Sequence, residues 1–204
     1  MPDKKWFAPV LPYLAVWAGL FLFKNVWAAL LGFHLAILLT LAALRPRLPL
    51  AALLRSKHPR RLIYSVLFSA AGGIGLFFLW DFFEVAPDLP AQLDALGLNK
   101  FSWAGFIAYF ALVNPFIEEY FWRGVLDDGA RGLRPVDFLY SGYHALILWG
   151  RAHFLSIVFA LAVLVLTGWL WRQISRLDKG LLAAVLGHMA ADFSILTVVR
   201  WMCV

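Results

Sequence analysis

Long apolar runs, separated by short charged stretches, make up most of the chain. Phe7 to Phe23 is the first, and Lys24-Asn25 divides it from the second, Val26 to Leu44. Leu62 to Trp80 and Phe101 to Trp122 follow. Phe138 to Gly150 is apolar but short. Arg151 and His153 separate it from Phe154 to Trp171, and Leu181 to Val199 ends the series. A helix needs roughly 17–25 apolar residues to cross a bilayer, a length that every run except Phe138–Gly150 reaches. The pattern predicts an all-α polytopic membrane protein, a bundle of about seven transmembrane helices, with the first two forming a tight hairpin.

The polar stretches orient the bundle. Arg45 to Arg61 carries Arg45, Arg47, Arg55, Lys57, Arg60 and Arg61 with no acid, and Pro46 and Pro49 end the preceding helix. Short loops rich in Lys and Arg stay cytoplasmic. Asp81 to Lys100 holds Asp81, Glu84, Asp88 and Asp94 against one lysine, which suits the outside. With the basic loop inside, the basic N-terminus Met1–Lys5 is cytoplasmic, and so is Asp127–Asp137. Counting Phe138–Gly150 and Phe154–Trp171 as two crossings puts the net basic Arg172–Gly180 stretch inside as well. Counting them as one puts it outside, against the charge rule. Seven crossings are therefore expected, the short fifth tilted or partly re-entrant.

Composition agrees. The chain is 63% hydrophobic and 15% charged, whereas a soluble domain is about half apolar and a quarter charged. Its 204 residues suit one transmembrane domain, 1–204, with N-terminal helices in 1–100 and the chemistry-bearing helices in 101–199. The net charge of +6 lies between apolar runs, which argues for a lipid bilayer and against nucleic acid. Cys203 is the single cysteine, so neither an intrachain disulfide nor a cysteine metal cluster is available. The N-terminus resembles a signal peptide but lacks a small-residue cleavage site, so an uncleaved first span is expected. Short loops and an Arg/Trp/Leu-rich chain suggest the inner membrane of a bacterium.

Charge inside an apolar segment is costly and marks a functional site by default. Glu118-Glu119-Tyr120-Phe121-Trp122-Arg123 ends the fourth run, with Asn114-Pro115 positioned to kink the helix one turn earlier. His144 lies in the short run and His188 with Asp192 in the last. Glu118 is nine residues before Asp127, His144 seven after Asp137 and His188 eight after Gly180. At helical rise all three lie roughly 10–14 Å from the cytoplasmic side, as the walls of a cavity open to that side would. Glu119 and Arg123 are spaced to pair along one face, leaving Glu118 turned about 100° away and free. A Glu–His couple can take a proton from water and return it to a leaving amine, and a polar pair opposite can stabilise an oxyanion. Together these functions amount to peptide-bond hydrolysis without a covalent intermediate. His34, His153, the Asp81/Glu84 pair and Trp122 read as structural: an interhelical contact, a loop histidine, a solvated face and packing.

Glu-Glu-x-x-x-Arg at 118–123, aromatic-x-x-x-His at 140–144 and His-x-x-x-Asp at 188–192 occur in that order. The three motifs resemble those of the glutamic-type intramembrane proteases. That family includes the Rce1-like CAAX prenyl endopeptidases and the bacteriocin-processing and immunity proteins (the CPBP or Abi family). The resemblance covers roughly Phe101 to Leu196. It implies that Glu118 is the general base with His144 as helper, that Glu119 and Arg123 support the site, and that His188 and Asp192 form the oxyanion site. It also implies a membrane-anchored protein or peptide as substrate and neither metal nor cofactor. The family often has Phe at the position of Tyr140 and Asn at that of Asp192. An ionised Asp192 cannot donate to an oxyanion, so it is expected to be protonated or to orient His188. A prenylated tail, a bacteriocin leader, a sorting anchor and a regulatory peptide are all compatible substrates. Two other readings use the same residues: a zinc site of Glu118, His144 and His188, and a non-catalytic immunity or scaffold protein. Nothing in the sequence addresses the oligomeric state.

Overall fold

In the computed structural model, residues 7–204 are described. The basic stretch Met1–Lys5 and its expected cytoplasmic placement lie outside them. In chain order the helices are α1 (Val10–Trp17), α2 (Val26–Leu44), α3 (Pro59–Phe78), α4 (Leu89–Ala95), α5 (Trp103–Leu112), α6 (Asn114–Glu119), α7 (Pro135–Gly142), α8 (His144–Leu148), α9 (Phe154–Asp178) and α10 (Leu182–Cys203). Four of them, α2, α3, α9 and α10, are long and apolar enough to cross a membrane. Among the described residues there is no named strand; an isolated bridge joins Val85 to Ala152.

The expected hairpin forms. α1 continues through a π-helical turn, Ala18–Leu22, and then packs back on α2. Gly19 lies against the backbone of Ala29 with no space for a Cβ. Lys24 takes the left-handed conformation (φ 47°), and the Asn25 side chain caps α2 by accepting from Ala28 N at 3.0 Å. The Asn25 cap leaves one fewer orphan N–H at the helix start.

The most extensive helix pair is α3 on α10. The buried face of α3 is Ser65, Ser69 and Gly73, spaced four residues apart, while its large residues Ile63, Tyr64, Leu67, Phe68 and Phe78 point outward. Small residues let backbones approach where lipid, not water, surrounds the pair. Of the three glycines in this run, Gly73 makes the close approach, to Ser194. A Cβ on Gly75 would meet open space.

The loops fall into two groups. Ala52 O and Arg55 O accept from Leu181 N and Leu182 N, and Arg61 pairs with Asp178 at 3.0 Å while Ser56 also donates to Asp178. The basic loop thus docks on the α9–α10 turn, and Tyr120 OH donates to Leu48 O at 2.5 Å. At the other group of loops, Ala86 N donates to Arg151 O and Val26 N to Leu96 O.

Arg172 ties the loop after the acidic motif to α9. It is buried, and bonds Asp137 through Nε (2.9 Å) and Nη2 (2.8 Å). It also donates to Ala130 O and Gly132 O, both at 2.6 Å. Removing one partner of a buried, hydrogen-bonded charge pair costs about 3–5 kcal/mol. Arg172→Ala is therefore expected to lower the thermal unfolding midpoint in detergent markedly and to expose residues 127–134 to protease. Arg172→Lys, which loses the bidentate fork, is expected to recover only part of that stability. A midpoint unchanged in Arg172→Ala would contradict the assignment.

Candidate active site

The fourth apolar run is not one helix. It stops at Val113, restarts as α6 at Asn114-Pro115 and passes into a π-helical turn, Tyr120–Val125. Pro115 has no N–H to give Ala111 O, so the break falls one turn ahead of the glutamates, as the sequence implies. π-turns inside helices are rare and frequent at functional sites. This one follows directly after Glu118 and Glu119, both almost fully buried.

The helical spacing separates the two acids. Glu119 Oε1 accepts from Arg123 Nη1 at 3.1 Å and lies 2.8 Å from His188 Nδ1, while Oε2 has no partner. The Arg123 guanidinium sits over the Tyr140 ring at 3.7 Å and 5.4 Å from the Trp171 ring. Gly168 of α9 makes this cage possible, because a Cβ there would lie 2.8 Å from Tyr140 and 2.9 Å from Arg123 Nη2. His188 stacks on Trp171, and its Nε2 is 3.5 Å from Asp192 Oδ1.

Glu118 is not left free by the Glu119–Arg123 pair. Asn114 Nδ2 (2.9 Å) and Tyr143 OH (2.8 Å) donate to its Oε1, and Trp122 Nε1 (3.0 Å) donates to Oε2. The second amide hydrogen of Asn114 goes to Asp192 Oδ2 at 3.3 Å. Glu118, Asn114, Asp192, His188, Glu119 and Arg123 are therefore one connected set. His144 joins it differently. Its ring stacks on Tyr143 with centroids 4.1 Å apart, and its Nδ1 lies 3.2 Å from Ser141 O. Nδ1 is then the protonated nitrogen, and in the neutral ring Nε2 holds the lone pair. Tyr143, rather than His144, is the residue of this segment that bonds Glu118.

Asn114, Trp122 and Tyr143 are partners of Glu118 that reading the sequence did not single out as such, and Trp122 hydrogen-bonds as well as packs. The spacing held a signal for two of them, since Asn114, Glu118 and Trp122 stand at four-residue intervals. Tyr143 gave none, because the kink that directs it between α7 and α8 is a tertiary feature. The zinc reading finds no support in the donor geometry. Glu118 is occupied by three donors and both His188 nitrogens face carboxylates. Among the described residues no three His, Cys, Asp or Glu side chains are placed to hold a metal ion.

Apolar helices around a buried acid–histidine cluster define an integral membrane protein with a candidate site inside its helical bundle. Residues 100–194, just under half of the chain, match the family model described as type II CAAX prenyl endopeptidase Rce1-like. This is a protease family and the one that the three motifs resemble, and the matched segment contains all three. Neither a curated protein nor a solved structure matches the chain.

Proposed function

We propose that this protein is a seven-crossing intramembrane endopeptidase that hydrolyses a peptide bond of a membrane-associated protein or peptide with activated water. The observation that carries the reading is the connected set of Glu118, Asn114, Asp192, His188, Glu119 and Arg123, buried except for a partly exposed Asp192, within the segment that matches a protease family. In this reading a water held between Glu118 and the lone pair of His144 Nε2 attacks the scissile carbonyl carbon. Glu118 takes its proton and returns it to the leaving nitrogen as the C–N bond breaks. His188 donates to the oxyanion through Nε2, whose contact with Asp192 at 3.5 Å is long, while Nδ1 stays on Glu119 at 2.8 Å. Asp192, 3.5 Å from His188 Nε2, orients that ring and does not donate itself. Arg123 fixes Glu119, and Glu119 fixes His188 Nδ1.

The grouping of the loops supports seven crossings and one transmembrane domain, because the helices run alternately between the two groups and α3 of the N-terminal half packs on α10. Arg45–Arg61, Asp127–Asp137 and the α9–α10 turn share one end, which we place in the cytoplasm by its excess of basic residues. The short loops fit a bacterial inner membrane.

The test is cleavage of a panel of membrane-anchored peptides by the purified protein in H2(18)O with added hydroxylamine. Direct attack by water puts one 18O in each new carboxylate and forms no hydroxamate. His144→Ala is expected to lower kcat by on the order of 10²–10⁴-fold. Hydroxamate formation would indicate an acyl-enzyme and overturn the mechanism. Absence of cleavage across the panel would favour a non-catalytic immunity or scaffold role.

A further inference from the structure

His34 stands on α2, outside the family-matched segment, and is almost fully buried. Its Nε2 lies 3.0 Å from Asn114 Oδ1 and its Nδ1 3.2 Å from Tyr109 OH. Asn114 in turn directs both hydrogens of its amide at carboxylates, one at Glu118 Oε1 (2.9 Å) and one at Asp192 Oδ2 (3.3 Å). An amide has one oxygen and one NH2 group. Two carboxylates can both accept from Asn114 only while its oxygen faces the other way, towards His34. That oxygen needs a donor, so His34 carries a hydrogen on Nε2, and Tyr109 donates to Nδ1. A flipped Asn114 would set its oxygen against two acid oxygens at these distances.

We propose that His34 is a positioning residue: through the Asn114 amide it holds Glu118 and Asp192 in fixed relation across the break between α5 and α6. The break places Asn114 at the first position of α6, where its side chain reaches three helices: His34 on α2, Glu118 on α6 and Asp192 on α10. Tyr109 fixes the His34 ring from α5, on the other side of the break. An interhelical histidine serving packing alone would be replaceable by any residue of its volume. One that sets an amide is replaceable only by a residue with a donor at the Nε2 position.

This inference rests on the proteolytic reading for its kinetic consequences, and on the fold alone for its geometry, so the experiment reads both. In the peptide-cleavage assay, His34→Leu is expected to lower kcat by on the order of 10²-fold with KM within about twofold, the scale of an active-site misplacement. His34→Gln, which keeps a donor, is expected to recover most of the rate. Asn114→Leu with His34→Leu should be no slower than Asn114→Leu alone, because both act through one path. Independently of turnover, the 15N spectrum of histidine-labelled protein should show His34 as the Nε2–H tautomer, its resonance identified by loss in His34→Gln. The Asn114 side-chain amide signals should move in His34→Leu and stay near their original positions in His34→Gln. Wild-type kcat in His34→Leu beside an inactive Glu118→Gln, or an Nδ1–H tautomer, overturns the proposal. An active Glu118→Gln overturns the assignment of Glu118 as the base, absence of cleavage by the wild type overturns the proteolytic reading, and in either case the tautomer still decides the geometry.

Discussion

Glu118→Gln is expected to abolish peptide cleavage, lowering kcat by at least on the order of 10³-fold, within the range by which a positioned general base accelerates proton transfer. The substitution is nearly isosteric but not innocent. Oε1 of Glu118 accepts from Asn114 and Tyr143, and Oε2 from Trp122. A glutamine orients its oxygen towards the two donors, so its NH2 faces the Trp122 N–H, donor against donor, at a site 3.0 Å across. Leaving a buried donor unpaired costs about 1–3 kcal/mol, so Glu118→Gln should also unfold at lower temperature than the wild type. Lost activity from the single variant is therefore ambiguous by itself. Adding Trp122→Phe removes the opposing donor. The double variant is expected to regain stability and stay inactive, which separates loss of the base from loss of the fold. Cleavage at the wild-type rate by Glu118→Gln/Trp122→Phe would show that Glu118 is not the base.

The double variant would not have been designed from the sequence, and the reason is physical. Hydrophobic run length made the long helices legible, because in lipid a backbone has no partner but itself. The kink at Asn114-Pro115 was legible because proline has a fixed local effect. The Glu119–Arg123 pair followed from four-residue spacing and is found at 3.1 Å. The same spacing left Glu118 apparently free, because counting positions along one helix says nothing about donors from other elements. Tyr143 reaches Glu118 from between α7 and α8 and Asn114 ties it to α10. Those contacts depend on how the helices cross. His34 shows the same limit: a lone histidine in an apolar run reads as a packed residue until its neighbour on another helix is seen to be an amide with two acids behind it. The family resemblance located the motifs within residues of the matched segment, but it carried no information about α2.

Removal of Arg123 should have the largest effect on stability. Glu119 is fully buried and Arg123 nearly so. Arg123→Met leaves the Glu119 carboxylate with the His188 ring nitrogen, and breaking a buried pair from one side costs about 3–5 kcal/mol. It also empties the aromatic cage, where the guanidinium lies 3.7 Å from the Tyr140 ring. Arg123→Lys restores a charge but not the planar group that stacks there. The expected order of thermal midpoints, at one fixed detergent concentration, is wild type, then Arg123→Lys, then Arg123→Met. Glu119→Gln should rescue Arg123→Met in part, since it removes the stranded charge while keeping an acceptor for His188 Nδ1. That non-additivity identifies the ion pair as the cause, because a cavity left by the missing side chain would not be relieved by changing Glu119. Equal midpoints for Arg123→Met and the double variant would assign the effect to the cage. A midpoint for Arg123→Met indistinguishable from wild type would mean that neither the pair nor the cage holds these helices together.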